Sequence, residues 1–152
     1  MNNNYLIKIF ERYCDLKKSN KQYLDNYDLS KIFEYFSCIK LSEEYLRPFY
    51  EYDDIESDYK EINHMTRNDT GIDCCDLENT IVQCKLRKNG TLLNWKDCST
   101  FFGSQNIYDK ELGKYIIKWE NLIITRNKEC SLSENLLFRY FVDKTYCREN
   151  II

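Results

Sequence analysis

No stretch of this chain is apolar for more than a few residues, which excludes a membrane-spanning helix. The start, Met1-Asn-Asn-Asn-Tyr5, has neither the basic nor the apolar region of a secretory signal, so a non-secreted, intracellular protein is expected. None of the eight cysteines (positions 14, 38, 74, 75, 84, 98, 130 and 147) forms a C-x-x-C pair, and most lie inside apolar patterns. They read as reduced core residues in a reducing compartment, not as zinc ligands or a disulfide framework. Histidine occurs once, at His64, with no nucleophile pattern around it, so a surface or capping role is expected. Positive charge is not in excess: the net charge is −3, which gives no global attraction to nucleic acid. Internal repeats and low-complexity segments are absent, and the one proline, Pro48, marks an element boundary.

What is present suits one soluble domain. The 152 residues can bury a sizeable core, and 43% hydrophobic with 31% charged residues argues against disorder. Charge is unevenly spread. Residues 41–80 carry 12 acidic and 3 basic side chains, whereas residues 81–100 carry Lys85, Arg87, Lys88 and Lys96 against Asp97 alone. A basic edge beside an acidic region fits a metal-dependent site that grips phosphates, although solvated charge explains most surface runs.

Periodicity sets the expected elements. Residues 5–18 form an amphipathic helix through Leu6, Ile9, Phe10, Tyr13 and Leu16. A second helix runs from about Leu29 to Ile39 with Leu29, Ile32, Phe33 and Phe36 inward; Glu34 sits at the margin of that stripe, where spacing alone favours a solvated carboxylate. Residues 49–53 read as a first strand, 54–68 show only a weak pattern, and 67–71 read as a turn. Asn94 caps a helix with Trp95, Cys98, Phe101 and Phe102 inward, ending near Gly103. A polar loop, strand material at 115–119 and 121–125, a helix opened by the capping box Ser131-Leu-Ser-Glu134 with Leu132, Leu136, Leu137, Tyr140 and Phe141 inward, and a short strand near 141–146 complete the chain. This order predicts an α/β sandwich around a mixed sheet.

The stretch from Gly71 to Lys88 carries the candidate chemistry. Two strand-like runs flank the turn-prone Leu77-Glu78-Asn79, and alternation puts Gln83 and Lys85 on one face with Val82, Cys84 and Leu86 on the other. Ile72 and Cys74 are expected on the apolar face and Asp73 on the polar one. Asp73 stands opposite Gln83 if the loop is Leu77 to Asn79, or opposite Lys85 if it is Glu78 to Thr80; Asn79 is the residue suited to a left-handed conformation there.

An Asp on one strand, a Gln-x-Lys on the next, then a helix and a hydrophobic strand resemble the PD-(D/E)xK restriction-endonuclease-like superfamily, with Gly71-Ile72-Asp73 and Gln83-Cys84-Lys85 resembling its Mrr-like branch. Trp95 to Gln105 and Asn121 to Arg126 are similar to nuclease-like regions found beside helicase modules in giant DNA viruses. The resemblance covers roughly residues 29–146. It implies a restriction-endonuclease-like mixed β-sheet core flanked by helices, here with an extra N-terminal helix. It also implies catalytic roles for Glu34, Asp73, Gln83 and Lys85, with Mg²⁺ or Mn²⁺ held by Asp73, the Cys84 backbone carbonyl and Glu34, the last from a Phe33-Glu34 pair. Ile72 replaces the proline common before the acid, and Gln83 replaces the second acid with a neutral amide. The expected function is phosphodiester hydrolysis in DNA, with Arg87, Lys88 and Lys96 on flanking phosphates, alone or with a helicase chain, in the cytoplasm or a viral factory. The alternative is a non-catalytic nucleic-acid-binding or assembly module that keeps the fold.

Overall fold

A computed structural model describes residues 26–66, 71–87 and 90–146, with no account of the side chains of 26–28. The helix expected at 5–18, Lys88, Cys14 and Cys147 lie outside the described residues. The architecture is mixed α/β. A five-stranded mixed sheet has the order β1 (Tyr50–Glu51), β2 (Cys74–Cys75), β3 (Thr80–Lys85), β7 (Asn121–Asn127), β9 (Val142–Tyr146). The β1/β2 and β2/β3 pairs are antiparallel, and β3/β7 and β7/β9 are parallel. Both faces are covered. Helix α1 (Asn26–Tyr45) packs Cys38, Ile39 and Leu41 with Phe49, Cys74, Val82 and Ile123. Helix α3 (Trp95–Gly103) packs Cys98 and Phe101 on the other face, with Cys75, Ile81, Leu122 and Ile124. The run Leu122-Ile-Ile124 is buried on both sides, as its lack of alternation predicts.

Helix α1 continues past the predicted end at Ile39, because Leu41 and Ser42 extend its buried face. Ser42 Oγ donates to the Cys38 carbonyl at 2.7 Å and accepts the Phe49 N–H at 2.9 Å, tying the chain back after Pro48. Leu46 takes a positive φ of 54° at that reversal. The strand expected at 49–53 shortens to Tyr50–Glu51, since Tyr52–Asp54 close a 3₁₀ turn, and the weakly patterned region that follows contains helix α2 (Ser57–Ile62). His64 is exposed.

The β2–β3 register, Cys74 with Val82 and Cys75 with Ile81, leaves Leu77-Glu78-Asn79 as the loop and ends just before Asp73, whose N–H still reaches the Val82 carbonyl. The left-handed residue is Leu77 (φ 63°), not Asn79. Asp76 decides this: its Oδ1 accepts the N–H groups of Glu78, Asn79 and Thr80 at 2.9, 3.1 and 2.9 Å, closing the loop around its own side chain. The buried Asp76 Oδ2 pairs with Arg47 Nε at 2.8 Å. Ile72 also departs from expectation: it packs with Cys75 and Ile81 on the α3 side, because regular pairing and its alternation end at Cys74. Gly71 has φ 89°, and a Cβ there would lie 2.9 Å from the Phe101 backbone nitrogen, so only glycine lets α3 approach.

Helix α3 begins as predicted, with Asn94 and Asp97 forming a reciprocal capping box. The region after it differs. The strand expected at 115–119 forms as β6 (Lys114–Ile117), but it pairs antiparallel with β5 (Asn106–Asp109), a strand in the place of the expected polar loop, as a hairpin separate from the main sheet. Its alternating residues face solvent at Tyr108, Tyr115 and Ile117, so no core periodicity marks it. Residues Ser131–Leu132 are strand β8, parallel to β4 (Leu92–Leu93), and Ser133 caps a short helix α4 (Glu134–Leu137). Leu137 and Tyr140 are exposed, not inward, because that helix ends after one turn.

Candidate active site

The pairing of β2 with β3 ends at Cys74 and Val82, so the last part of β3 has one free edge on that side. Asp73 occupies the edge. Its N–H donates to the Val82 carbonyl at 2.9 Å, and its carboxylate Oδ2 accepts the Cys84 N–H at 2.7 Å. In an extended strand the N–H and C=O of one residue project to the same edge, so the Cys84 carbonyl points to the side that Asp73 occupies. A carboxylate and a backbone carbonyl are thereby placed together by the hairpin register alone.

Glu34 comes from α1, whose buried stripe seats it next to Asp73. Burial pushes its carboxyl up to about 8, and the Asp73 charge pushes the same way; Lys31 opposes both and Glu51 adds to them. The carboxylate nonetheless has a partner, since Lys31 Nζ lies 3.2 Å from Glu34 Oε2. The same ammonium is 2.8 Å from Glu51 Oε1 and 3.3 Å from Asp53 Oδ2. Burial works against this ammonium, but the Glu51 hydrogen bond and the Glu34 and Glu51 charges outweigh it and hold the Lys31 pKa above the usual lysine value. Lys31 and the buried Glu51 are site neighbours that periodicity did not single out. The i, i+3 spacing of Lys31 and Glu34 is visible in the sequence, but the meeting with Glu51 depends on β1 lying against α1.

Gln83 is buried beside this edge. Its Nε2 donates to the Gly71 carbonyl at 3.2 Å, and its Oε1 is buried with no hydrogen-bond partner. An orphaned buried carbonyl is costly and marks a place that a donor or a cation would satisfy. Lys85 lies one step further on the same face of β3. It stands beside Arg126 in the parallel register, and its charge counteracts the burial that raises the Cys98 and Cys130 thiols. The structure therefore groups Glu34, Asp73 and the Cys84 main chain at one edge, with Gln83 adjoining through Gly71, and directs Lys85 toward α3.

The thiols beside the site are part of the packing. Cys38 Sγ is 2.9 Å from Cys74 Sγ, which is 3.9 Å from Cys84 Sγ, and burial raises all three thiols above their usual range. Buried thiols of this kind are unreactive.

The donors available to a divalent cation are oxygens: the Asp73 and Glu34 carboxylates, the Cys84 carbonyl and the orphaned Gln83 Oε1. Hard ligands of this kind match Mg²⁺ or Mn²⁺ in chemistry. Among the described residues, no group of three or more His, Cys, Asp or Glu is arranged to hold a metal ion.

On the expected phosphate-contacting edge, Arg87 is fixed beyond the end of β3 by Asn127. The buried Asn127 accepts the Arg87 N–H at 2.8 Å and donates to the Arg87 carbonyl at 2.8 Å, extending the strand pairing with a side chain. Lys96 is exposed in the first turn of α3. Arg126 makes a two-point pair with Asp143, at 3.0 and 2.9 Å. Among the described residues no helix is long and apolar enough to cross a membrane. Comparison with protein-family models, with curated proteins and with solved structures finds no match to this chain.

Proposed function

We propose that this protein is a metal-dependent nuclease that hydrolyses phosphodiester bonds in DNA, working with a helicase or other DNA-processing machinery. The observation that carries the reading is the edge of β3, where the Asp73 carboxylate sits against Cys84 and next to a Glu34 whose burial disfavours its charge. Carboxyls displaced this far from their usual range cluster at functional sites. The resemblance of Asp73 and Gln83-Cys84-Lys85 to the PD-(D/E)xK pattern, restriction-endonuclease-like in its fold, supports the same assignment.

Mg²⁺ or Mn²⁺, when bound, would lower the pKa of a coordinated water and polarise the phosphate. Asp73, Glu34 and the Cys84 carbonyl are the residues that would hold it. Gln83 can offer its Oε1 but no charge, which makes the site less negative than one with two strand carboxylates. Lys85 offsets negative charge building on the phosphate, and Arg87, Lys88 and Lys96 contact flanking phosphates without reading sequence.

A second reading is favoured by one observation: the Lys31 ammonium already sits at the site, 2.8 Å from Glu51 and 3.2 Å from Glu34. With an internal cation in place and an amide at Gln83, the chain would be a nucleic-acid-binding or assembly module without turnover. Incubation with supercoiled plasmid and Mg²⁺ or Mn²⁺ separates the two. Nicking or linearisation that is lost in Asp73→Ala and in Lys85→Ala supports the nuclease. Cleavage that survives both substitutions discards the site, and a silent wild type that still binds DNA in chelator supports the module.

A further inference from the structure

A cavity of about 400 Å³ lies between α3 and the connection from α4 to β9, walled by Trp95, Phe102, Gln105, Leu122, Arg139 and Tyr140. Cavities of roughly 300 to 1,000 Å³ accommodate small ligands. Its walls are flat and aromatic. Trp95 stacks on Phe102, with centroids 5.3 Å apart and planes 17° from parallel, and Phe102 meets Phe141 at 6.0 Å. Tyr140, on this wall, is 75% exposed.

The cavity is also cationic. The Arg139 guanidinium lies 3.9 Å from the Trp95 ring centroid, and the ion pairs among the described residues do not include it. Stacking on the indole holds the guanidinium in place while leaving its in-plane N–H donors directed outward. Lys96, exposed, follows Trp95 directly. The nearest acid on that helix turn, Asp97, is engaged by the Asn94 N–H at 2.8 Å in the helix cap. Aromatic walls with a planar cation held at their mouth recognise a ligand with a flat π-face and an anionic group one or two bonds away from it.

We propose that this cavity binds one unpaired nucleotide of a nucleic-acid strand, with its base against Tyr140 and the Trp95–Phe102 pair and its phosphate at Arg139 and Lys96. The site rests on the nucleic-acid reading above but not on hydrolysis. Cys98, one turn beyond Trp95 on α3, feels the Lys85 charge, so the cavity and Lys85 flank the same helix. A nucleotide drawn into the cavity has left its partner, which makes single strands, flaps and frayed ends the preferred substrate class.

The test uses the intrinsic fluorescence of the full chain, whose other tryptophan, Trp119, is only 3% exposed and gives a constant background. Oligo(dT), oligo(U) and a duplex of equal length are titrated in EDTA at one fixed low salt concentration. Quenching by either single strand and not by the duplex is expected, and the sugar preference follows from which single strand binds tighter. Quenching should vanish in Trp95→Phe, and affinity should fall about tenfold in Tyr140→Ala and in Arg139→Ala, both changes at exposed positions that the fold tolerates. The titration is run in EDTA, where no metal-dependent cleavage takes place, so a failed active-site assignment leaves this result intact. Single-strand binding undiminished in Tyr140→Ala and Arg139→Ala, or equal quenching by the duplex, overturns the proposal.

Discussion

Replacing Glu34 by glutamine should stabilise the protein, and only at high pH. The Glu34 side chain is 15% exposed, and burial together with Asp73 pushes its carboxyl from about 4.5 to about 8. In the folded chain it stays protonated over a range in which the unfolded chain has already released the proton. Its contribution is therefore fully present below about 4.5 and is lost as the pH rises through about 8. At about 1.4 kcal/mol for each pH unit, the upper limit is about 5 kcal/mol. Relaxation and water entry reduce such limits, and a gain of about 2 kcal/mol for Glu34→Gln at about pH 9 is the expected size. At about pH 4, below the unfolded value, the carboxyl is mostly neutral in both the folded and the unfolded chain and nearly isosteric with the amide, so the variant should match the wild type within about 0.5 kcal/mol. Urea denaturation at the two pH values reads this directly, as a rise of about 1 M in the midpoint at the higher pH. Equal midpoints at high pH, or the same shift at both, would refute the claim that burial beside Asp73 holds this carboxyl out of its usual range.

Three further outcomes follow from the geometry. Asp76→Ala removes the Arg47 pair and the acceptor of three loop N–H groups, and should cost about 3 kcal/mol in thermal or urea melts; Arg47→Ala, at a half-exposed position, should cost about 1 kcal/mol. Gly71→Ala must hold φ 89° and push against the Phe101 backbone, so a loss above about 2 kcal/mol is expected, read in the same melts. Asn127→Ala leaves the Arg87 main chain without its two side-chain hydrogen bonds, and should destabilise by about 2 kcal/mol while raising hydrogen exchange at the Arg87 amide.

The parts of the fold legible in the sequence are those fixed by local rules. A three-residue hairpin loop, Leu77 to Asn79, was one of the two that alternation allowed, the start of α3 follows from the Asn94 cap, and the burial of Leu122 to Ile124 follows from an unbroken apolar run. The parts missed depend on contacts between distant residues. Leu77 instead of Asn79 is left-handed because Asp76 turns its side chain inward to Arg47, which lies across the sheet edge. Strand β5 escapes notice because its hairpin with β6 buries no regular face, and the helix after Ser133 stops early although Tyr140 and Phe141 continue an apolar pattern. For the candidate site, Asp73 and Glu34 were named from the motif and feel each other's charge, whereas Lys31 and Glu51 emerge only once α1 is laid over β1. The same packing explains why spacing alone read Glu34 as a solvated residue.

The most direct test of the central claim is a Mn²⁺ soak of crystals, with an anomalous difference map collected at the manganese edge. A peak bridging the Asp73 carboxylate and the Cys84 carbonyl, with Glu34 turned toward it from Lys31, is the predicted result. A map with no peak at that edge at saturating Mn²⁺, and with Lys31 still paired to Glu34, would contradict it.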